Sequence, residues 1–99
     1  MLESDLVRKI LATLRLEFGG VWFKIHGGAN QEAGIPDIIG CYRGRFVAFE
    51  VKRGKHSRVS PRQRLVLDRI SDAGGLSVVV ESPLEASFAL RNLSHDEAN

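Results

Sequence analysis

The chain predicts an α/β sandwich built on one mixed central sheet, and three observations carry that prediction. Apolar residues recur at helical spacing from residue 2 to residue 18. Four short runs of β-branched, aromatic and other apolar residues follow, each bounded by glycine-rich or polar segments. A helical segment separates the third run from the fourth, and a helix crossing between two strands makes them parallel neighbours. The order is helix, strand, strand, strand, helix, strand, with a short C-terminal helix after it.

Leu2, Leu6, Ile10, Leu14 and Phe18 set the first helical stripe, widened by Val7 and Leu11, and Gly19-Gly20 ends it. Glu3 shares a face with Val7, Ile10 and Leu14, which points it toward the body of the protein; an acid in a first turn also complements the helix dipole. Val21–Ile25 is the first strand. His26–Gly34, with Gly27-Gly28 and no apolar period, is a loop. Ile38–Tyr42 and Phe46–Phe49 flank the polar turn Arg43-Gly44-Arg45 and form a hairpin. Ser60-Pro61-Arg62-Gln63 is a capping box with proline at the first helical position, and the helix it opens runs to Gly74-Gly75. Leu76–Val80 is a buried-strand pattern. Ser82-Pro83-Leu84-Glu85 is a second capping box, opening a helix through about Asn92. Residues 1–93 form one domain, and 94–99 are a polar tail.

Composition narrows the class. With 43% apolar and 26% charged residues, the chain is globular, and no run has the length of a membrane span. Its one cysteine, Cys41, lies in a strand, where burial is expected; it offers neither a disulfide nor a zinc framework, and a reducing, intracellular (cytoplasmic) setting fits. Net charge is only +2, but its distribution is uneven. Between Arg43 and Arg64 stand eight basic residues and one acid, Glu50; from Leu65 onward six acids face Arg69 and Arg91. A segregated basic tract is the footprint of a polyphosphate partner, so DNA is expected there, with Arg53, Lys55, Arg58 and Arg62 as contacts. Lys24 and His26, beside the loop, are secondary candidates for phosphate.

The acids inside that tract carry chemistry. Along an extended strand Glu50 and Lys52 point to the same side, about 7 Å apart. Asp37 begins the neighbouring strand and can reach that side. An Asp and a Glu converging at a sheet end are a hard-oxygen site suited to Mg²⁺ or Mn²⁺, and a divalent ion supplies the Lewis acidity that phosphodiester hydrolysis needs. No Ser-His-Asp or Cys-His arrangement competes, and neither nucleotide-binding glycine motif occurs.

Pro36-Asp37 with Glu50-Val51-Lys52 resembles the signature of the PD-(D/E)XK nuclease superfamily. Gly34-Ile35-Pro36-Asp37-Ile38-Ile39-Gly40, Phe49-Glu50-Val51-Lys52 and Ser60-Pro61-Arg62-Gln63 are similar to the VRR-NUC (virus-type replication-repair nuclease) branch, over most of the chain from Glu3 to about Val80. The resemblance implies a restriction-endonuclease-like αβββαβ core. It implies catalytic roles for Asp37, Glu50 and Lys52, with the Val51 backbone carbonyl as a further metal ligand. Glu3 completes the acidic cluster in the resemblance, and Gln63 faces the active site, a role that competes with its place in the capping box. It further implies a DNA-repair enzyme, phage-encoded and expressed in a bacterial host. Single-domain chains of this kind look like Holliday-junction resolvases, homodimers that nick four-way junctions symmetrically. Leu84, Phe88, Ala89 and Leu93 are a candidate dimer patch.

Two other readings stand beside that one. The chain could be a DNA-binding module without catalysis, although binding phosphates needs no acidic pair facing them. Alternatively, Glu50 and Lys52 form an ordinary salt bridge, which would leave Asp37 without a reason to be there. Within the nuclease reading, flap, other branched or linear DNA are alternative substrates.

Overall fold

The computed structural model describes residues 1–29, 31–54 and 58–98. Lys55, expected to contact DNA, lies outside the described residues. Helix α1 (Glu3–Glu17) leads into strands β1 (Val21–Lys24), β2 (Ile38–Tyr42) and β3 (Arg45–Val51). Helix α2 (Pro61–Asp72) then crosses to β4 (Leu76–Val80), and α3 (Pro83–Ala98) follows. The sheet order is β1-β2-β3-β4, antiparallel between the first three strands and parallel between β3 and β4. This is the predicted α/β architecture with one mixed sheet. The last helix differs, continuing to Ala98 rather than stopping near Asn92.

The hairpin between β2 and β3 closes on two residues. Tyr42 pairs with Arg45, while Arg43 and Gly44 both take positive φ, 53° and 80°, as a tight turn of this hand requires. Glycine accepts that conformation freely. Arg43 does so with its guanidinium over the Tyr42 ring, 5.8 Å from the centroid.

The two faces of the sheet are used differently. Val47, Phe49 and Val51 of β3, Ile38 of β2 and Trp22 of β1 point to one side, where they meet Ile10, Leu11 and Leu14 of α1 and Ala86, Leu90 and Leu93 of α3. Fully burying such a side chain is worth about 1.5–3 kcal/mol. That face therefore holds the fold together and can offset polar burial on the other. On the opposite face α2 packs along β4, where Ser77 Oγ donates to the Leu67 carbonyl at 2.7 Å. The β1–β2 half of that face and the start of β3 stay open, leaving Val21, Phe23, Cys41 and Phe46 exposed. Cys41 was expected to be buried. Its strand is as predicted, but its side chain leaves on the half of the sheet that α2 does not reach. Of the apolar residues expected to form a patch on α3, Leu84 and Phe88 are exposed, whereas Leu93 is buried and Ala89 packs against the core.

Candidate active site

The sheet register assembles the site. Ile38 pairs with Phe49, so continuing one residue outward sets Asp37 opposite Glu50, on the face away from α1. Two residues on, Lys52 emerges on the same side. Asp37 is held in place by its own backbone and side chain: its carbonyl accepts from Ile25 N–H at 2.8 Å, and its Oδ2 accepts from Val51 N–H at 2.8 Å. Lys52 N–H donates across the parallel pair to the Val80 carbonyl at 3.0 Å, so Val51, its neighbour, turns its backbone groups the other way. In extended chain N–H and C=O of one residue share a side, which aims the Val51 carbonyl toward Asp37 as well.

Glu50 is the buried member, only 2% exposed. Its Oε2 receives Lys52 Nζ at 3.2 Å and the Gln63 Nε2 amide at 3.2 Å. The same Gln63 amide closes the α2 capping box, its Oε1 accepting from Ser60 N–H at 2.9 Å while Ser60 Oγ accepts from Gln63 N–H at 3.1 Å. Ser60 N–H can only donate, so the amide oxygen must face it, and the amino end must face Glu50. The two roles expected to compete for this side chain are filled by its two ends.

Two carboxyls side by side in a partly dry site repel one another. Burial, and then the charge on Asp37, push Glu50 up to about 7 against the pull of Lys52. The salt bridge of the plainest reading is thus present, but it is buried and shares its space with a second acid. A buried ion pair rarely stabilises a fold, and an adjacent carboxylate makes this one less favourable. A divalent cation would reverse that balance. The donor set suits Mg²⁺ or Mn²⁺: Asp37, Glu50 and the Val51 carbonyl supply hard oxygens, and such ions complete their shells with water and phosphate.

The other expected residues divide. Glu3 is exposed in the first turn of α1 and is not gathered into the cluster; among the described residues no three Asp, Glu, His or Cys side chains converge as a metal-holding group. The acid that serves the helix start is Asp5, whose Oδ2 accepts from Leu2 N–H at 3.3 Å and which pairs with Arg8. Arg53 donates to the Met1 carbonyl, tying the start of α1 to the strand end after Lys52. Lys24 pairs with Ile38 and so leaves the sheet on the α1 side, the face opposite Asp37 and Glu50. His26 and Arg58 are exposed. Arg62, expected on phosphate, is exposed and engages the loop before Asp37: Nη2 meets Glu32 Oε1 at 3.2 Å and Nε donates to the Ala33 carbonyl at 3.3 Å. Sequence reasoning missed Glu32 and Ala33, because the loop has no period to place them. Beside Asp37, that loop and Ile25 line an open cleft of about 320 Å³.

No family model matches the sequence, and no curated protein matches it closely. Among solved structures, one described as a VRR_NUC domain superposes with a TM-score of 0.72, at 22% identity, covering 92% of this chain and 97% of the other. A second, a VRR_NUC domain protein, gives 0.66 at 20% identity, covering 84% and 79%. Likeness over nearly the whole of both chains, with the strand order and the crossover helix in place, leads to one conclusion: the chain has the fold of a VRR_NUC domain.

Proposed function

We propose that this protein is a divalent-metal-dependent endonuclease that hydrolyses phosphodiester bonds in DNA. The observation that carries this reading is the convergence of Asp37, Glu50 and Lys52 at one strand end, with Glu50 buried beside a second acid. Such a cluster costs stability, and the chemistry that gives it a use is cation binding next to phosphate. Asp37, Glu50 and the Val51 carbonyl would hold Mg²⁺ or Mn²⁺, which when bound supplies Lewis acidity for hydrolysis. Lys52 is the site's own cation, placed to neutralise charge that builds on the phosphoryl oxygens. Gln63 fixes the Glu50 carboxylate, and the basic tract after β3 attracts the polyanion.

The preferred substrate is branched DNA, four-way junctions above all, cut by a homodimer inside the cell. A domain this small reads few base edges, so substrate shape must supply the selectivity. The test is cleavage of a junction and a linear duplex of equal length in Mg²⁺, by the wild type and by Asp37→Asn and Glu50→Gln. Both variants should lose cutting and keep or tighten DNA binding, since each removes a ligand and a charge that repels phosphate. Wild-type cutting by either variant would overturn the metal assignment. Sedimentation at twice the chain mass supports the dimer. A monomer that cuts both substrates equally would sink the junction reading and leave the nuclease one.

A further inference from the structure

The segment that delivers Asp37 has little beneath it. On one side of residues 31–35 lies the 320 Å³ cleft that reaches Asp37. On the other, an open cleft of about 430 Å³ is lined by Glu32 and Ile35 of the segment and Val66 and Ile70 of α2. Close contact with α2 comes at its first turn. There Arg62 makes its two bonds to Glu32 and Ala33. Gly34 lies so near that a Cβ on it would stand 2.9 Å from both the Arg62 Cγ and the Arg62 carbonyl oxygen. Gly34 also takes φ of 84°, which only glycine adopts without strain. Pro36, buried, carries this anchored segment directly into Asp37.

We propose that Arg62 is a positioning residue for Asp37. One turn of α2 then sets both carboxylates: Gln63 reaches Glu50 directly, and Arg62 holds the segment that places Asp37 opposite it. The spacing of the two acids is fixed by a rigid helix end rather than by a loop with space on either side. The Arg62 guanidinium stays at the surface, 46% exposed, but its Nη2 and Nε are engaged by this segment. The inference rests on the nuclease reading for its purpose but not for its geometry.

Three measurements on Arg62→Gln decide it, with Arg64→Gln, an exposed change on the same helix, as control. The first uses protein without metal: hydrogen exchange of the Val51 amide, which reports on its bond to Asp37 Oδ2. The second is Mg²⁺ affinity by calorimetry, and the third is the salt dependence of DNA binding. Arg62→Gln should speed Val51 exchange relative to amides in the middle of β3, weaken Mg²⁺ by about tenfold or more, and leave the salt slope unchanged. Arg64→Gln should leave Val51 exchange and Mg²⁺ affinity as in the wild type. Unaltered Val51 exchange in Arg62→Gln, with a slope reduced by about 0.9, makes Arg62 a phosphate contact and overturns the proposal. Should Arg62→Gln fail to fold, Glu32→Ala, which removes one bond from the other side, faces the same criteria. A wild type that takes up no Mg²⁺ defeats the nuclease reading, while the metal-free exchange comparison still decides this one.

Discussion

Gln63 donates to Glu50 Oε2 at 3.2 Å with one end of the amide that, at its other end, accepts the N-cap N–H of α2. A change at Gln63 that spares one end can therefore separate helix stability from site electrostatics. Gln63→Glu keeps an acceptor for Ser60 N–H but turns a third carboxylate toward Glu50. Its thermal midpoint should match the wild type near about pH 5, where the carboxyls share protons, and fall below it near about pH 8. Gln63→Leu loses the cap bond as well and should cost about 1 kcal/mol at both pH values. A Gln63→Glu midpoint that matches the wild type at both pH values would show that the contact with Glu50 carries no weight.

Stability of the metal-free protein should depend on pH through Glu50. Its ordinary value is 4.5, and the folded chain pushes it up to about 7 through burial and the neighbouring Asp37. Between those values the native state holds a proton that the unfolded state has released. Stability from this group is therefore full below about pH 4.5 and is lost as pH rises through about 7. In a chelator the midpoint should drop between about pH 5 and about pH 8, and Glu50→Gln should remove that part of the drop. Mg²⁺ takes the ionised form, so its affinity should climb with pH to about 7 and then level. A wild-type profile that Glu50→Gln leaves unaltered would contradict the assignment.

How much of this could be read beforehand follows from which forces are local. The shared face of Glu50 and Lys52 follows from the two-residue period of a strand, and the α1 stripe from the helical period, so both were legible. The Ser60-Gln63 box is a contact between near neighbours and was legible too. Cys41 was not, because its exposure depends on how far α2 extends over the sheet. Arg62 read as one more cation in a basic tract. Its partner Glu32 lies thirty residues away in an aperiodic loop, and only the packed structure brings the two within 3.2 Å. Helical phase points Glu3 inward, but phase constrains little at the first residue of a helix, and Glu3 is exposed there.

Gly40 answers a packing demand in the middle of β2. A Cβ there would stand 2.2 Å from the Val21 carbonyl oxygen and 2.4 Å from the Trp22 ring, neither of which can retreat. Trp22 is buried with its Nε1 donating to the Gly19 carbonyl, which holds the ring over β2. Gly40→Ala should cost about 3 kcal/mol, lowering the midpoint by on the order of 10 °C. A midpoint within about 2 °C of the wild type would mean that β1 can shift away without loss.

The two faces of the sheet should differ in how they meet DNA. Arg58 is exposed in the basic stretch between β3 and α2. Lys24 leaves β1 on the opposite face, with α1. If DNA lies across the acidic cluster, Arg58→Gln should reduce the slope of log K against log salt by about 0.9, the release of one condensed counterion. Lys24→Gln should leave that slope unchanged, although it removes the same formal charge. Net charge alone would give the two variants equal losses, so the contrast tests position rather than overall basicity. Binding titrations over a range of salt, run in Ca²⁺ or on Asp37→Asn to suppress cutting, give both slopes. A flattened slope for Lys24→Gln with an intact one for Arg58→Gln would move the duplex to the α1 face and leave Asp37 and Glu50 without a phosphate to act on.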